Sequence, residues 1–228
     1  MLRLIGDIHT NRKKYLSLIE GAEYSLQVGD LDILGFDWLI KEGVDSEHHK
    51  FIGGNHDNYD RINEVPHNLG DFGVWSVCGL NIFFVRGAWS IDLNYRTAGV
   101  DWWPEEELAY DKCKEAIELY DKMRPDIVVS HAAPTNVIQY ITNPEFARNF
   151  GFDPGVLKTR TDEMLHQMVE IHAPKVHIFG HYHRRFDCFV DGRTGVKSTA
   201  EIQPDGCTRY ICLPEFGTIE IDSSILES

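Results

Sequence analysis

The sequence has no run of about 18 apolar residues, the length that a membrane-spanning helix needs. Its opening, MLRLIGDIHT, lacks the apolar stretch and cleavage site of a secretory leader. Together these two absences predict a cytoplasmic protein without a membrane partner. Cysteine is sparse and unpaired: Cys78, Cys113, Cys188, Cys207 and Cys212 are odd in number and never form C-x-x-C. That argues against a disulfide framework and against a thiolate zinc site, leaving reduced cysteines in and around a core. Basic residues are outnumbered, 22 lysines and arginines against 36 aspartates and glutamates, for a net charge of −14. Such a chain repels nucleic acid and has no basic stripe, so long duplex nucleic acid is excluded as a partner. It can still meet a phosphate ester where something local supplies positive charge, and metal ions do that.

What is present is an ordinary core-forming composition, 43% hydrophobic and 25% charged. Short apolar runs, LRLI (2–5), YSLQV (24–28) and HKFI (49–52), read as buried strands, with helices expected over 11–20 and 33–42. This βαβαβ opening favours a parallel sheet covered by helices. GVWSV (73–77) and NIFFVR (81–86) predict a hairpin about CGL, and Pro104 with three following glutamates predicts a helix running to about Met123. DIVVS (126–130) and KVHIFG (175–180) are further strands, with a helix near 161–172. The tail, RFDCFV, TRYICL and GTIEID, reads as antiparallel strands. No repeat or linker occurs, which predicts one domain over 1–228 with two sheets. Residues 87–103 and 132–160 are long, turn-rich and aromatic, and loops of that length in a compact domain are usually functional or mobile.

Polar residues with ligand chemistry recur where the expected strands end. Gly6-Asp7-Ile8-His9, Gly29-Asp30, Gly53-Gly54-Asn55-His56-Asp57, Ser130-His131 and Gly180-His181-Tyr182-His183 each follow an apolar run. Ligands of open α/β sheets bind at the carboxyl ends of strands, so five ends point toward one rim. Asp7, His9 and His183 offer one set of oxygen and nitrogen donors. Asn55, His131 and His181 offer a second, and the two oxygens of Asp30 suit it to bridge them. Donors of this kind without thiolate suit Mn²⁺, Fe or Zn²⁺, and two such cations clamp the attacking and leaving oxygens of an in-line displacement at phosphorus. Taken singly, the residues have plainer explanations. Asp7 and Asp30 are good helix caps, Asn55 suits a left-handed turn, and His131 suits a satisfied buried position. HxH after a glycine-ended strand is harder to explain by packing, because i and i+2 share a face only in extended chain.

The segments GDIH, GD, GNHD, SH and GHYH resemble, in order and spacing, the motifs of calcineurin-like metallophosphoesterases, and they span residues 6–183. The resemblance implies a four-layer αββα sandwich with two mixed β-sheets and a dinuclear metal centre at the strand ends, with Mn²⁺ as the expected metal. It also implies that His56 contacts the phosphate and leaving group while Asp57 orients it, a pairing that matches an imidazole held in one tautomer by a carboxylate. The expected reaction is hydrolysis of a small nucleotide or other soluble phosphodiester by a hydroxide held between the cations. A phosphomonoesterase, phosphoprotein phosphatases included, and a catalytically silent scaffold that binds a protein are the alternatives. Where the family commonly reads G-D-x-x-D this chain has GDLDIL, with Ile33 in the later position and Asp32 one residue early. The arginine-containing extension of phosphoprotein and dinucleotide phosphatases is missing. GAWSIDLNYRTAGVDWWPEEEL is similar to a segment of phage and bacterial members. Arg86, at a strand end, is the candidate substrate-binding cation, ahead of Arg61, Arg184 and Arg185. Trp89, Tyr95, Trp102 and Trp103 are candidates to stack on a base or aryl group.

Overall fold

Alternation decides the layers. In β1 (Leu2–Ile5), Leu2 and Leu4 face one side while Arg3 and Ile5 face the other, as period-two geometry requires. The computed structural model describes residues 1–142, 144–151, 158–200 and 203–226. Helix α1 (Arg12–Ile19) leads to β2 (Tyr24–Gln27), and α2 (Asp37–Lys41) leads to β3 (His49–Phe51). β1, β2 and β3 are parallel neighbours. β4 (Phe72–Val77) and β5 (Leu80–Val85) form a hairpin whose two-residue turn, Cys78-Gly79, has φ of 52° and 74°. Positive φ at both positions is the twist that matches paired strands. After α3 (Tyr110–Met123) come β6 (Ile127–Ser130), α4 (Thr135–Ile141), α5 (Pro144–Asn149), α6 (Arg160–Ile171) and β7 (Val176–Phe179). The chain ends with β8 (Phe186–Asp191), β9 (Cys207–Cys212) and β10 (Thr218–Ile221).

Two mixed sheets result, β10-β1-β2-β3 and β4-β5-β6-β7-β9-β8. Leu2, Leu4, Leu26 and Val28 of the first pack on Ile82, Phe84, Val129 and Ile178 of the second. On the outer face of the first sheet, Ile5 and Phe51 meet Tyr15 of α1 and Trp38 of α2. On the outer face of the second, Phe83, Val85 and Val128 meet Ala116 and Tyr120 of α3 and Met164 and Met168 of α6. The architecture is therefore the αββα sandwich expected, each apolar face covered by another layer. Among the described residues no helix is long and apolar enough to cross a membrane.

Three expectations need correction. The helix expected over 33–42 is reduced to α2, because Asp32 accepts the Leu34 N–H in a turn and Gly35 sits at φ 109°. The helix expected from Pro104 breaks: a 3₁₀ turn, Pro104–Glu106, gives way to extended backbone at Glu107 and Ala109 before α3 starts. The reason is Glu106, which turns into the interior where a helix N-terminus would have left it in water. The tail is not one antiparallel set. β9 runs parallel to β7 and antiparallel to β8, while β10 crosses to the first sheet and pairs antiparallel with β1. Residues 87–103 hold a 3₁₀ turn, Leu93–Tyr95, and an isolated bridge between Ala98 and Trp102, whereas 132–160 hold α4 and α5. Residues 143 and 152–157 of that second stretch lie outside the described residues.

Candidate metal centre

The loops after β1, β2 and β3 of one sheet and after β6 and β7 of the other meet at one rim. Backbone and carboxylate groups knit them. The Asp30 carbonyl accepts N–H from Ile8 and His9, both at 2.9 Å, and Asp30 Oδ1 accepts the His56 N–H at 2.8 Å. Asp7 accepts the His181 N–H at 3.0 and 3.2 Å. Two glycines make this approach possible: a Cβ on Gly54 would collide with the Asp30 carboxylate and His131, and one on Gly180 with the Asp7 carboxylate. His9, Asp30, His181 and His183 all have positive φ, between 46° and 66°. Left-handed backbone is costly for such residues, and its concentration here marks a functional site. Neither Asp7 nor Asp30 caps a helix: Asn11 caps α1 through its side chain, and α2 starts beyond Asp30.

The donor atoms fall into two groups that share one residue. Asp7, His9, Asp30 and His183 form the first; Asp30, His131 and His181 form the second, with donor atoms within 4.8 Å of one another in each. His9 Nε2 lies 2.8 Å from His183 Nε2, and His183 Nε2 lies 3.0 Å from Asp7 Oδ2. His131 Nε2 lies 3.2 Å from Asp30 Oδ1 and 3.1 Å from Asn55 Oδ1, which adds the amide to the second group. His131 Nδ1 is 2.9 Å from the Val28 carbonyl, which fixes a proton there and turns Nε2 toward the rim. Burial works to lower its pKa, but Asp30 outweighs that and pushes it up to about 9. Asp30 Oδ2 is buried with no hydrogen-bond partner among the described residues, an uncompensated oxygen aimed between the groups. Burial alone would raise the Asp30 carboxyl, but the imidazoles of His131, His56 and His9 outweigh it and hold it well below the usual range. Burial pushes His181 down, and the hydrogen bond to Asp7 pushes His183 up. Imidazoles, carboxylates and one amide, converging with an oxygen that has no hydrogen-bond partner among the described residues, fit divalent cations.

A sequence profile of calcineurin-like phosphoesterases matches residues 2–185. The chain belongs to this family. Members are metal-dependent, in keeping with the Asp/His groups above. A search of curated sequences gave no match. Among solved structures, a Thermotoga maritima protein is 14% identical, covering 97% of this chain and 92% of its own, at a TM-score of 0.41. A Thermus thermophilus protein is also 14% identical, covering 95% and 75%, at 0.43. A provisionally named 5′-nucleotidase from Staphylococcus aureus is 13% identical, covering 97% of this chain but 51% of its own, at 0.45.

The family site carries further residues around it. The His56 ring is not held by Asp57, contrary to the expectation from sequence. The Asp57 carboxylate turns beneath the loop and accepts N–H from Asp30 (3.0 Å), Asp32 (2.8 Å) and Gly54 (2.8 Å), so it ties two ligand loops together. Burial and the nearby Asp30 push its carboxyl up. Arg96 faces His56 instead, with Nη2 2.6 Å from Nε2 and 3.0 Å from Nδ1. Arg96 is anchored by Asp92 at 2.7 Å and by the carbonyls of Asn55 and Asp101, and only 5% of its side chain is exposed. Burial and Arg96 both act to lower the His56 pKa, and only Asp30 and Asp92 act against them. Ser90 and Glu106 are buried behind Asn55. No reading of the sequence singles out these three, although all lie in GAWSIDLNYRTAGVDWWPEEEL, whose likeness to phage and bacterial members was the available signal.

Arg86, the sequence candidate for substrate, is committed elsewhere: Nε to Asp71 at 2.6 Å, Nη1 to the Glu105 carbonyl at 2.5 Å, and its guanidinium over the Tyr59 ring. Arg61 is spent on Asp37, Glu64 and the Leu34 carbonyl, while Arg184 and Arg185 are exposed. Asp32, displaced from the family pattern, pairs with Arg12 at 2.6 Å. Trp103 is buried and donates to Asp60, whereas Tyr95 is 78% exposed.

Proposed function

We propose that this protein is a phosphoester hydrolase that uses two divalent cations, Mn²⁺ in first place with Fe or Zn²⁺ as alternatives, on a small nucleotide or another soluble phosphodiester. The observation that carries this reading is the pair of donor groups sharing Asp30, with its second oxygen unpartnered. Asp7, His9, Asp30 and His183 would hold one ion, and Asp30, Asn55, His131 and His181 the other. Bound there, the cations would supply Lewis acidity toward phosphoryl oxygens and make water nucleophilic near neutral pH.

The chain's own groups do the rest. Arg96, donating to the His56 ring at 2.6 Å, brings its guanidinium to the rim, where a phosphoryl or leaving oxygen would be received. A His56 imidazole kept neutral by burial and by Arg96 donates a hydrogen bond rather than carrying a charge of its own. Asp57, holding the Asp30 and Gly54 amides, fixes both loops and keeps His56 in place through the backbone. Two observations support a small, aromatic-bearing substrate: the net charge of −14 disfavours long duplex DNA, and exposed Tyr95, edge-on to Phe150 at 6.0 Å, neighbours Arg96.

Chelator-treated protein reloaded with Mn²⁺ is expected to cleave bis(p-nitrophenyl) phosphate faster than p-nitrophenyl phosphate. Asp30→Ala and His131→Ala should each lower that rate by more than about 100-fold. Full Mn²⁺-dependent activity in either variant would falsify the assignment.

A further inference from the structure

Glu106 is 2% exposed, and Ser90 gives its carboxyl two hydrogen bonds. Ser90 donates its backbone N–H to Oε1 at 2.8 Å and its hydroxyl to Oε2 at 2.6 Å. No lysine or arginine pairs with Glu106 among the described residues. Because its proton is given to Glu106, the Ser90 hydroxyl can only accept from its other neighbour, the Asn55 amide, whose Nδ2 lies 3.1 Å away. With Glu106 ionised the hydrogen bonds run from Asn55 Nδ2–H to Ser90 Oγ and from Ser90 Oγ–H to Glu106; burial pushes this carboxyl up to about 7, so the relay has this direction above that pH. All three residues are buried, so no water competes.

An asparagine amide can face either way, and only one face is a metal ligand. With Nδ2 held by Ser90, the carbonyl oxygen must face His131 Nε2, as it does at 3.1 Å. A negative charge at the far end also draws the amide protons back and makes Oδ1 a stronger donor, as carboxylates behind metal-bound groups do.

We infer that Ser90 and Glu106 are positioning residues for the second cation site, aiming and strengthening Asn55 without touching an ion themselves. This rests on the metal-dependent reading above. It explains why Pro104–Glu106 abandons the helix: Glu106 must reach inward to close the relay.

The test is calorimetric titration of chelator-treated protein with Mn²⁺, resolving the two equivalents. Ser90→Ala and Glu106→Gln should leave the first equivalent, on Asp7, His9, Asp30 and His183, as in the wild type. The second should weaken by about 10- to 100-fold, the usual effect of removing such an outer partner. Ser90→Thr, which keeps the hydroxyl, should restore it. Wild-type affinity for both equivalents in Ser90→Ala and Glu106→Gln would overturn the inference, as would equal weakening of both equivalents, which marks general damage to the fold. Ser90→Ala removes a single oxygen, so it carries the test even where Glu106→Gln folds poorly. A wild-type protein that bound no Mn²⁺ would remove this inference and the reading beneath it together; loss confined to neither variant would remove this inference alone.

Discussion

Burying a guanidinium costs several kcal/mol, and one partly exposed carboxylate offsets only part of that. Arg96 is in this position, paired with Asp92 and turned toward a histidine rather than an acid. An anion seated beside His56 would complete its coordination. Charge-assisted hydrogen bonds contribute about 1.5–3 kcal/mol, so Arg96→Met should lower kcat/KM for the preferred phosphoester by about 10- to 100-fold. Inhibition by inorganic phosphate should weaken in parallel; unchanged values of both would sink the role. The arginine lies in GAWSIDLNYRTAGVDWWPEEEL, whose likeness to phage and bacterial members marks the stretch but singles out no residue within it. Asp57 misled in the opposite way. The family resemblance implies that it orients His56, yet the backbone amides of Asp30, Asp32 and Gly54 take its carboxylate instead. The seven proposed ligands, by contrast, were legible, since each follows a short apolar run whose end is easy to find.

At the scale of elements, strands ending in glycine were the readable part, and their pairing was not. Periodicity locates β8, β9 and β10 but says nothing about which neighbour each will choose, and β10 leaves its apparent companions for β1. The glycines themselves have a testable consequence. A methyl on Gly54 would sit 2.7 Å from His131 Nε2 and closer still to Asp30, with no flexible side-chain end to give way. Gly54→Ala should therefore destabilise the protein by roughly 1–3 kcal/mol in urea unfolding with chelator present. The loops after β2, β3 and β6 would have to separate, so Mn²⁺ affinity should fall as well. An alanine variant as stable as the wild type would show that these loops yield more easily than their contacts indicate.

At the scale of the whole molecule, His177 is a buried titratable group outside the proposed ligand set. His177 in β7 donates through Nε2 to the Ser130 hydroxyl at 2.7 Å, since that hydroxyl is itself given to the Ala132 carbonyl. Its Nδ1 is buried without a partner, so a second proton would be a bare charge in the sandwich. Burial pushes its pKa from 6.5 down to about 3. The unfolded chain thus takes up a proton near pH 6.5 that the folded one refuses until about pH 3, and stability falls as pH drops through this window. The slope is about 1.4 kcal/mol per pH unit, or roughly 2 kcal/mol between pH 6.5 and 5. Denaturant melts across that range, in chelator, should be flatter for His177→Leu than for the wild type; an identical slope would assign the acid sensitivity to other groups.

Each proposed ion draws on both sheets. Asp7, His9 and Asp30 come from the four-stranded sheet and His183 from the six-stranded one; Asp30 and Asn55 likewise meet His131 and His181 across the divide. A chain still emerging from synthesis, with only β1, β2 and β3 made, owns three of the four donors of one cage and two of the four of the other. Capture of metal must then wait for the two halves of the sandwich to dock, which makes occupancy a checkpoint passed last. Bound there, the ions would act as rivets: the sheets could not slide or part at this rim without first surrendering them.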